Sequence, residues 1–99
     1  MALEDQFTRR VLDAIEASHR IGYHPIGFEA MLANRAGDAI QLAKDLVTVG
    51  SAQSGLKRLK QHGRLDLAIE SIMLEPQFQP LFEKKYLDAA GWHLEQMEI

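Results

Sequence analysis

The sequence has no cysteine, only 3 prolines and 1 tryptophan among its 99 residues. The absence of cysteine excludes a disulfide framework, a thiolate zinc site and a cysteine nucleophile. No stretch approaches the roughly 18 successive apolar residues that a membrane span needs. The first residues carry acids where a secretory signal has an apolar segment. We therefore expect a cytoplasmic protein without a membrane segment.

Length, composition and net charge narrow the class further. A chain of 99 residues has room for one domain, which we place at 1–99, with one modest core. With 46% hydrophobic and 25% charged residues, the composition is that of a folded domain and not of a disordered segment. The net charge of −3 argues against a protein that coats nucleic acid or anionic membrane by bulk electrostatics.

The spacing of apolar residues predicts a series of short helices. Glycines at positions 22, 37, 50 and 63 each follow a stretch with helical spacing, which is typical of left-handed caps at helix ends. No segment alternates apolar and polar residues, so we predict no strand. The prediction is an all-α, compact single domain of five or six short helices. In chain order, helices are expected at about 3–19, 25–34, 38–50, 54–62, from 66 onward, and 83–97.

Capping residues support three of these helix starts. Proline suits the first position of a helix, so Pro25 is predicted to begin the second helix. Asp38 and Asp66 are predicted to cap the third and fifth helices, because a carboxylate accepts hydrogen bonds from free backbone N–H groups. The core is expected to contain the apolar stripes of the helices, including Phe7, Val11, Ile15, Phe28, Met31, Leu32, Leu42, Leu46, Leu56, Leu59, Ile69, Ile72, Phe78, Phe82, Leu87, Ala90, Leu94 and Met97.

The titratable residues assemble no catalytic or metal-binding motif. Arg64, Asp66 and Glu70 form a polar cluster at the start of the fifth helix, which we interpret as structural. We expect Arg64 to pair with either Glu70 or Asp66. The histidines have no second ligand at helical spacing, so we expect them to be scattered over the surface, and we predict no metal, no catalytic residue and no cofactor. These histidines are His19, His24, His62 and His93.

One segment has a charge unlike that of the rest of the chain. Residues 57–64 contain four cations and no acid, which leaves a net charge of −7 on the remainder. Such a cluster can contact phosphate groups, form half of a complementary protein interface, or be one solvated face. The candidate contact residues are Lys57, Arg58, Lys60 and Arg64.

A helix-turn-helix interpretation adjoins this basic segment. Residues 41–46 resemble the first helix of such a motif, and Gly50, Leu56 and Leu59 have the spacing of its turn and recognition helix. Between Ala43 and Gly50, however, lie three more residues than the motif allows, and Gly55 weakens the second helix. An ordinary pair of helices therefore explains the pattern better.

A longer pattern extends over nearly three-quarters of the chain. It begins with Gly22-Tyr23-His24-Pro25 and continues through Phe28, Met31, Gly55-Leu56 and Leu59. The densest part is Arg64-Leu65-Asp66-Leu67, followed by Glu70 and Leu74. The pattern ends with Phe78, Leu81-Phe82, Ala90 and Leu94. In these residues the sequence resembles an uncharacterised family of small bacterial domains. The resemblance implies a compact helical domain and carries no catalytic residues. Relatives often have serine or threonine in place of Ala68 and an acid in place of Tyr86, which puts side-chain caps on the fifth and last helices in doubt.

We predict a non-enzymatic helical module that binds a protein partner or a second copy of itself. Trp92 lies off the apolar stripe of the last helix and, with Met97, is the candidate interface, because aromatic side chains are favoured at interface centres. The alternative is a nucleic-acid-binding accessory or regulator that uses the helix-turn-helix-like pair and the basic segment. An enzyme would need a pocket that gathers titratable side chains from separate helices, namely Tyr23, His24, Asp66 and Glu70.

Overall fold

A computed structural model describes residues 2–48 and 53–97. Over these residues the chain forms six α-helices and two 3-10 turns, with no strand, so the predicted all-α fold is confirmed. None of the described helices is long and apolar enough to cross a bilayer. The helices are α1 (Leu3–Arg20), α2 (Ile26–Asn34), α3 (Ala39–Thr48), α4 (Gln53–Gln61), α5 (Ile69–Met73) and α6 (Lys84–Gln96), and the 3-10 turns are Leu65–Leu67 and Gln79–Leu81.

Most helix ends lie close to the positions predicted from glycine and capping residues. Gly22, Gly37 and Gly63 all have positive φ, as expected of left-handed caps, whereas Gly50 lies outside the described residues. The Asp38 cap is confirmed, because its Oδ1 accepts a hydrogen bond from the backbone N–H of Gln41 at 3.0 Å. The second helix begins one residue later than predicted, since Pro25 itself has the non-helical ψ of 66°.

The start of the fifth helix differs from the prediction. Asp66 lies in the 3-10 turn and does not cap α5; its carboxylate instead accepts two hydrogen bonds from Arg64, at 3.0 and 3.1 Å. Ala68 occupies the N-cap position of α5 in an extended conformation, and no side chain caps this helix. An alanine side chain has no oxygen that could accept a hydrogen bond from the free N–H groups of this helix.

The hydrophobic core is centred on α1. Phe7 is fully buried, and its ring meets the rings of Phe78 and Phe82 edge-on at centroid distances of 5.3 Å each. Edge-to-face pairs at this distance add to the stabilisation from burial, because the positive edge of one ring meets the negative face of another. These contacts attach the proline-containing segment between α5 and α6 to the longest helix.

The two candidate interface residues of α6 have different positions. Trp92 is 51% exposed, in agreement with its place off the apolar stripe. Met97 is only 6% exposed and belongs to the core cluster. Its assignment to an interface is therefore wrong in this structure, because its place on the stripe turns it towards the core.

Helices α3 and α4 do not form the packed pair that a helix-turn-helix requires. Helix α3 packs mainly against α1, α5 and α6, whereas α4 packs mainly against the 3-10 turn Leu65–Leu67. Among the described residues the extensive contact between first and second helix that defines the motif is not formed. The core side chains of α4, Leu56 and Leu59, are buried against other parts of the domain.

The N-cap of α3 provides a test of the fold. Replacing Asp38 with alanine is expected to lower the free energy of unfolding by about 1 kcal/mol, because the N–H of Gln41 is left without its acceptor. Asp38→Asn is the matched control, since its amide oxygen retains the cap. Urea denaturation followed by circular dichroism measures both, and equal stability of the two variants would contradict the capping role.

Candidate functional site: an apolar cleft beside helix α2

The described residues form a cleft of about 770 Å³ that opens to solvent. One wall is the C-terminal half of α1, the facing wall is α2, and the first turns of α4 close one end. The floor is formed by residues 67–70 and Ile72, from the 3-10 turn and α5. A cleft of this volume is within the range of ligand-binding sites.

The α2 wall is apolar on more than one face. Only Leu32 of this helix is buried; Phe28 and Met31 are half-buried in the cleft wall, and Ile26 at its mouth is 73% exposed. A helix at the surface of a small domain ordinarily turns a single apolar stripe to the core and polar residues to water. Helix α2 therefore presents apolar surface that the core only partly covers.

A hydrogen-bonded ion pair holds the C-terminal end of α2 against α3. Arg35 Nε donates to Asp45 Oδ2 at 2.8 Å, and Arg35 Nη1 donates to the carbonyl oxygen of Met31 at 2.9 Å. The bond from Arg35, with a further one from Gln41, holds the pKa of the Asp45 carboxyl below its ordinary value. Both charges lie on the cleft and neutralise each other there.

Tyr23 lies where the loop before α2 approaches α4. Its hydroxyl oxygen is so close to the backbone of Gly55 that a Cβ atom at that position would be 3.2 Å away. Burial raises the pKa of the Tyr23 phenol, and the positive charge of nearby Arg58 offsets part of the effect. Because Gly55 has no Cβ atom, the loop and the helix can come this close. Arg58 lines the same end of the cleft.

The cleft floor contains a buried carboxyl group. Glu70 is 3% exposed, and its Oε2 lies 3.2 Å from Nδ1 of His93, which is 2% exposed on α6. The expectation that His93 lies on the surface is therefore wrong, and of the two partners open to Arg64 the structure selects Asp66 over Glu70. Burial raises the pKa of Glu70, against smaller opposing effects of its own backbone N–H and of His93.

The basic segment divides between the two flanks of α4. Arg58 faces the cleft, whereas Lys57 and Lys60 line a shallow depression on the other flank, next to Gln96. All three are exposed, and among the described residues none of them has a carboxylate partner. Arg64 differs, because it forms the predicted pair with Asp66.

The pocket that an enzyme would need is assembled only in part. Tyr23, His24 and Glu70 all line the cleft, while Asp66 lies outside it. Trp92 does not line the cleft, and its ring centroid lies 5.7 Å from that of His93. Its role at an interface stays a prediction.

Comparison of the chain with protein-family models, with curated proteins and with solved structures finds no match. The cleft must therefore be interpreted from its own geometry and chemistry.

The cleft was not predicted from the sequence, although the apolar residues of α2 gave one indication of it. Phe28, Met31 and Leu32 were expected to face inward together, yet Ile26 adds an apolar residue that no single inward face accommodates. Gly55 was interpreted as a weakness of α4, whereas its contact with Tyr23 supplies the reason for glycine there. The pairing of Glu70 with His93 spans 23 residues, and no local pattern predicts it.

The burial of the Glu70 carboxyl predicts a pKa above the ordinary glutamate value in the folded protein. Because burial raises its pKa in the folded state, the folded protein holds this proton more tightly than the unfolded chain does. The tighter proton binding by Glu70 should therefore make its full contribution to the free energy of unfolding at pH values below the ordinary glutamate pKa. That contribution should disappear as pH rises through the raised pKa.

Carbon-13 NMR titration of the side-chain carboxyls tests this directly. The Glu70 signal should titrate above the ordinary value for glutamate. The Asp66 signal should titrate below that for aspartate, because Arg64 donates hydrogen bonds to it. Asp66 is thus an internal control of opposite sign, and a Glu70 pKa at or below its ordinary value would contradict the assignment.

Proposed function

We propose that this protein is a non-enzymatic interaction module and that the cleft beside α2 is where it binds a protein partner. The observation that carries the proposal is the apolar surface of α2, where Ile26 is exposed and Phe28 and Met31, only partly buried against the core, also line the cleft. Exposed apolar surface beside a concave site is typical of binding regions.

A helix of a partner protein suits this shape. The cleft runs between two helices, α1 and α2, over a floor of apolar side chains, which is the arrangement used to bind the apolar face of an amphipathic helix. The α2 side contributes an aromatic ring and a methionine, Phe28 and Met31, and methionine adapts its shape to different partners. The wall is held in place at its C-terminal end by the Arg35–Asp45 ion pair.

The state of the titratable groups supports binding in preference to catalysis. Burial keeps the pKa of Tyr23 above its ordinary value, so the phenol is protonated at neutral pH and is a weak nucleophile. Glu70 directs one carboxyl oxygen to His93 on α6, and its side chain is only 4% exposed. His24 is exposed on the cleft, and no carboxylate is hydrogen-bonded to it in the described part of the chain.

The proposal can be tested with an uncharged amphipathic helical peptide and with the apolar dye Nile red. Both should bind the native protein, and backbone amide shifts in NMR spectra should change at residues that line the cleft. Met31→Gln should weaken binding several-fold, since it replaces an apolar wall residue with a polar one of similar shape. Leu12→Gln is the matched control, because Leu12 is 47% exposed and does not line the cleft. Equal binding to the two variants, or no shift at the cleft, would refute the proposal.

Nucleic-acid binding is a second candidate, favoured by the three cations of α4 without carboxylate partners in the described part of the chain, Lys57, Arg58 and Lys60. Their placement on two flanks of one helix provides fewer convergent phosphate contacts than the sequence suggested, and Arg64 is already paired with Asp66.

A gel-shift assay at low salt measures this second candidate. If nucleic acid binds, a duplex or single strand should shift. Neutralising all three cations should then reduce the salt dependence of binding by about one unit of slope for each phosphate that the variant no longer binds. The absence of any shift at low salt eliminates this function and leaves the cleft unaffected.

A further inference from the structure

We infer that the partner segment in the cleft is an acidic amphipathic helix whose carboxylate pairs with Arg58. This inference rests on the proposed function, because it names the chemistry of the partner at the same cleft. It follows from the juxtaposition of an apolar cleft with one exposed guanidinium at its α4 end.

The charges on the cleft leave Arg58 as the group without a counter-ion. Arg35 and Asp45 neutralise each other at 2.8 Å, and Glu70 contacts His93 beneath the floor. Of the charged side chains that line the described cleft, only Arg58 then has no carboxylate. A partner that covers this end of the cleft removes water from the guanidinium, which is unfavourable unless the partner supplies an anion.

The apolar walls favour a polypeptide carboxylate over a nucleic-acid phosphate. A phosphodiester backbone offers no aliphatic groups for Phe28 and Met31, whereas an acidic helix supplies both apolar and anionic side chains. Arginine binds a carboxylate through two parallel hydrogen bonds, which adds geometric specificity to the attraction.

The open form of the cleft favours a helix over a small amphiphile. Small ligands are usually enclosed over most of their surface. Here Ile26 is 73% exposed at the mouth, so apolar contact surface continues beyond the cavity itself. A helix lying along α2 would cover both Ile26 and the interior wall.

The test uses three peptides with the same apolar face and with glutamate, glutamine or lysine at the flanking positions. Fluorescence anisotropy is measured at pH 8, above the ordinary pKa range of histidine side chains. The glutamate peptide should bind the native protein about fivefold to tenfold more tightly than the glutamine peptide, and the lysine peptide more weakly than either.

Two substitutions on opposite flanks of α4 make the assignment specific. Arg58→Glu should reverse the order, so that the lysine peptide becomes the tightest. Lys57→Glu changes the net charge by the same amount on the same helix but outside the cleft, and should leave the order unchanged. Arg58→Gln should remove the preference for the glutamate peptide. This variant replaces Arg58→Glu in the test if the charge reversal destabilises the fold.

The possible outcomes separate this inference from the proposed function. If all three peptides bind equally, the cleft binds helices but the acidic partner is refuted. If Lys57→Glu and Arg58→Glu shift the affinities alike, the preference comes from diffuse charge, and pairing with Arg58 is refuted. If sedimentation shows that the protein self-associates through Arg58 without peptide, the occupant is a second copy and the inference is overturned. If no peptide binds, both the acidic partner and the proposed function are refuted.

Discussion

The packing of Phe7 between Phe78 and Phe82 is the interaction on which the rest of the domain depends. A chain of 99 residues can bury only one modest core, and here that core forms where α1 meets the irregular segment before α6. Helix α5 packs on α6, and α3 packs on both. Helix α1, to which this segment is attached, forms one wall of the cleft.

The cleft is a consequence of how this small core distributes its apolar residues. Helix α2 contributes only Leu32 to the buried set, and it is held to the body mainly through α3 and the Arg35–Asp45 pair. Phe28 and Met31 are only partly buried against the core and also line the cleft. Beneath them Glu70 is retained as a buried acid with His93, a pairing that costs desolvation and is satisfied by the hydrogen bond between α5 and α6.

Much of the fold was predictable from local patterns. Glycine and Asp38 marked helix ends correctly because capping involves residues only a few positions apart. The pairing of Arg64 with Asp66, two residues away, was within reach for the same reason. The predicted Asp66 cap was wrong for a local reason, since its carboxylate pairs with Arg64. Two other misassignments concern residues whose environment comes from distant segments. His93 was expected on the surface, and Met97 at an interface, yet both are buried by other helices.

The sequence by itself therefore determined the helices, the Asp38 cap and the single small core, because these follow from periodicity and from hydrogen bonds between near neighbours. It also determined the unlike charge of residues 57–64. Only the tertiary structure decided that Arg58 faces an apolar cleft while Lys57 and Lys60 face away from it. That separation depends on which flank of α4 meets Tyr23, an approach of two segments far apart in the chain that no local pattern encodes.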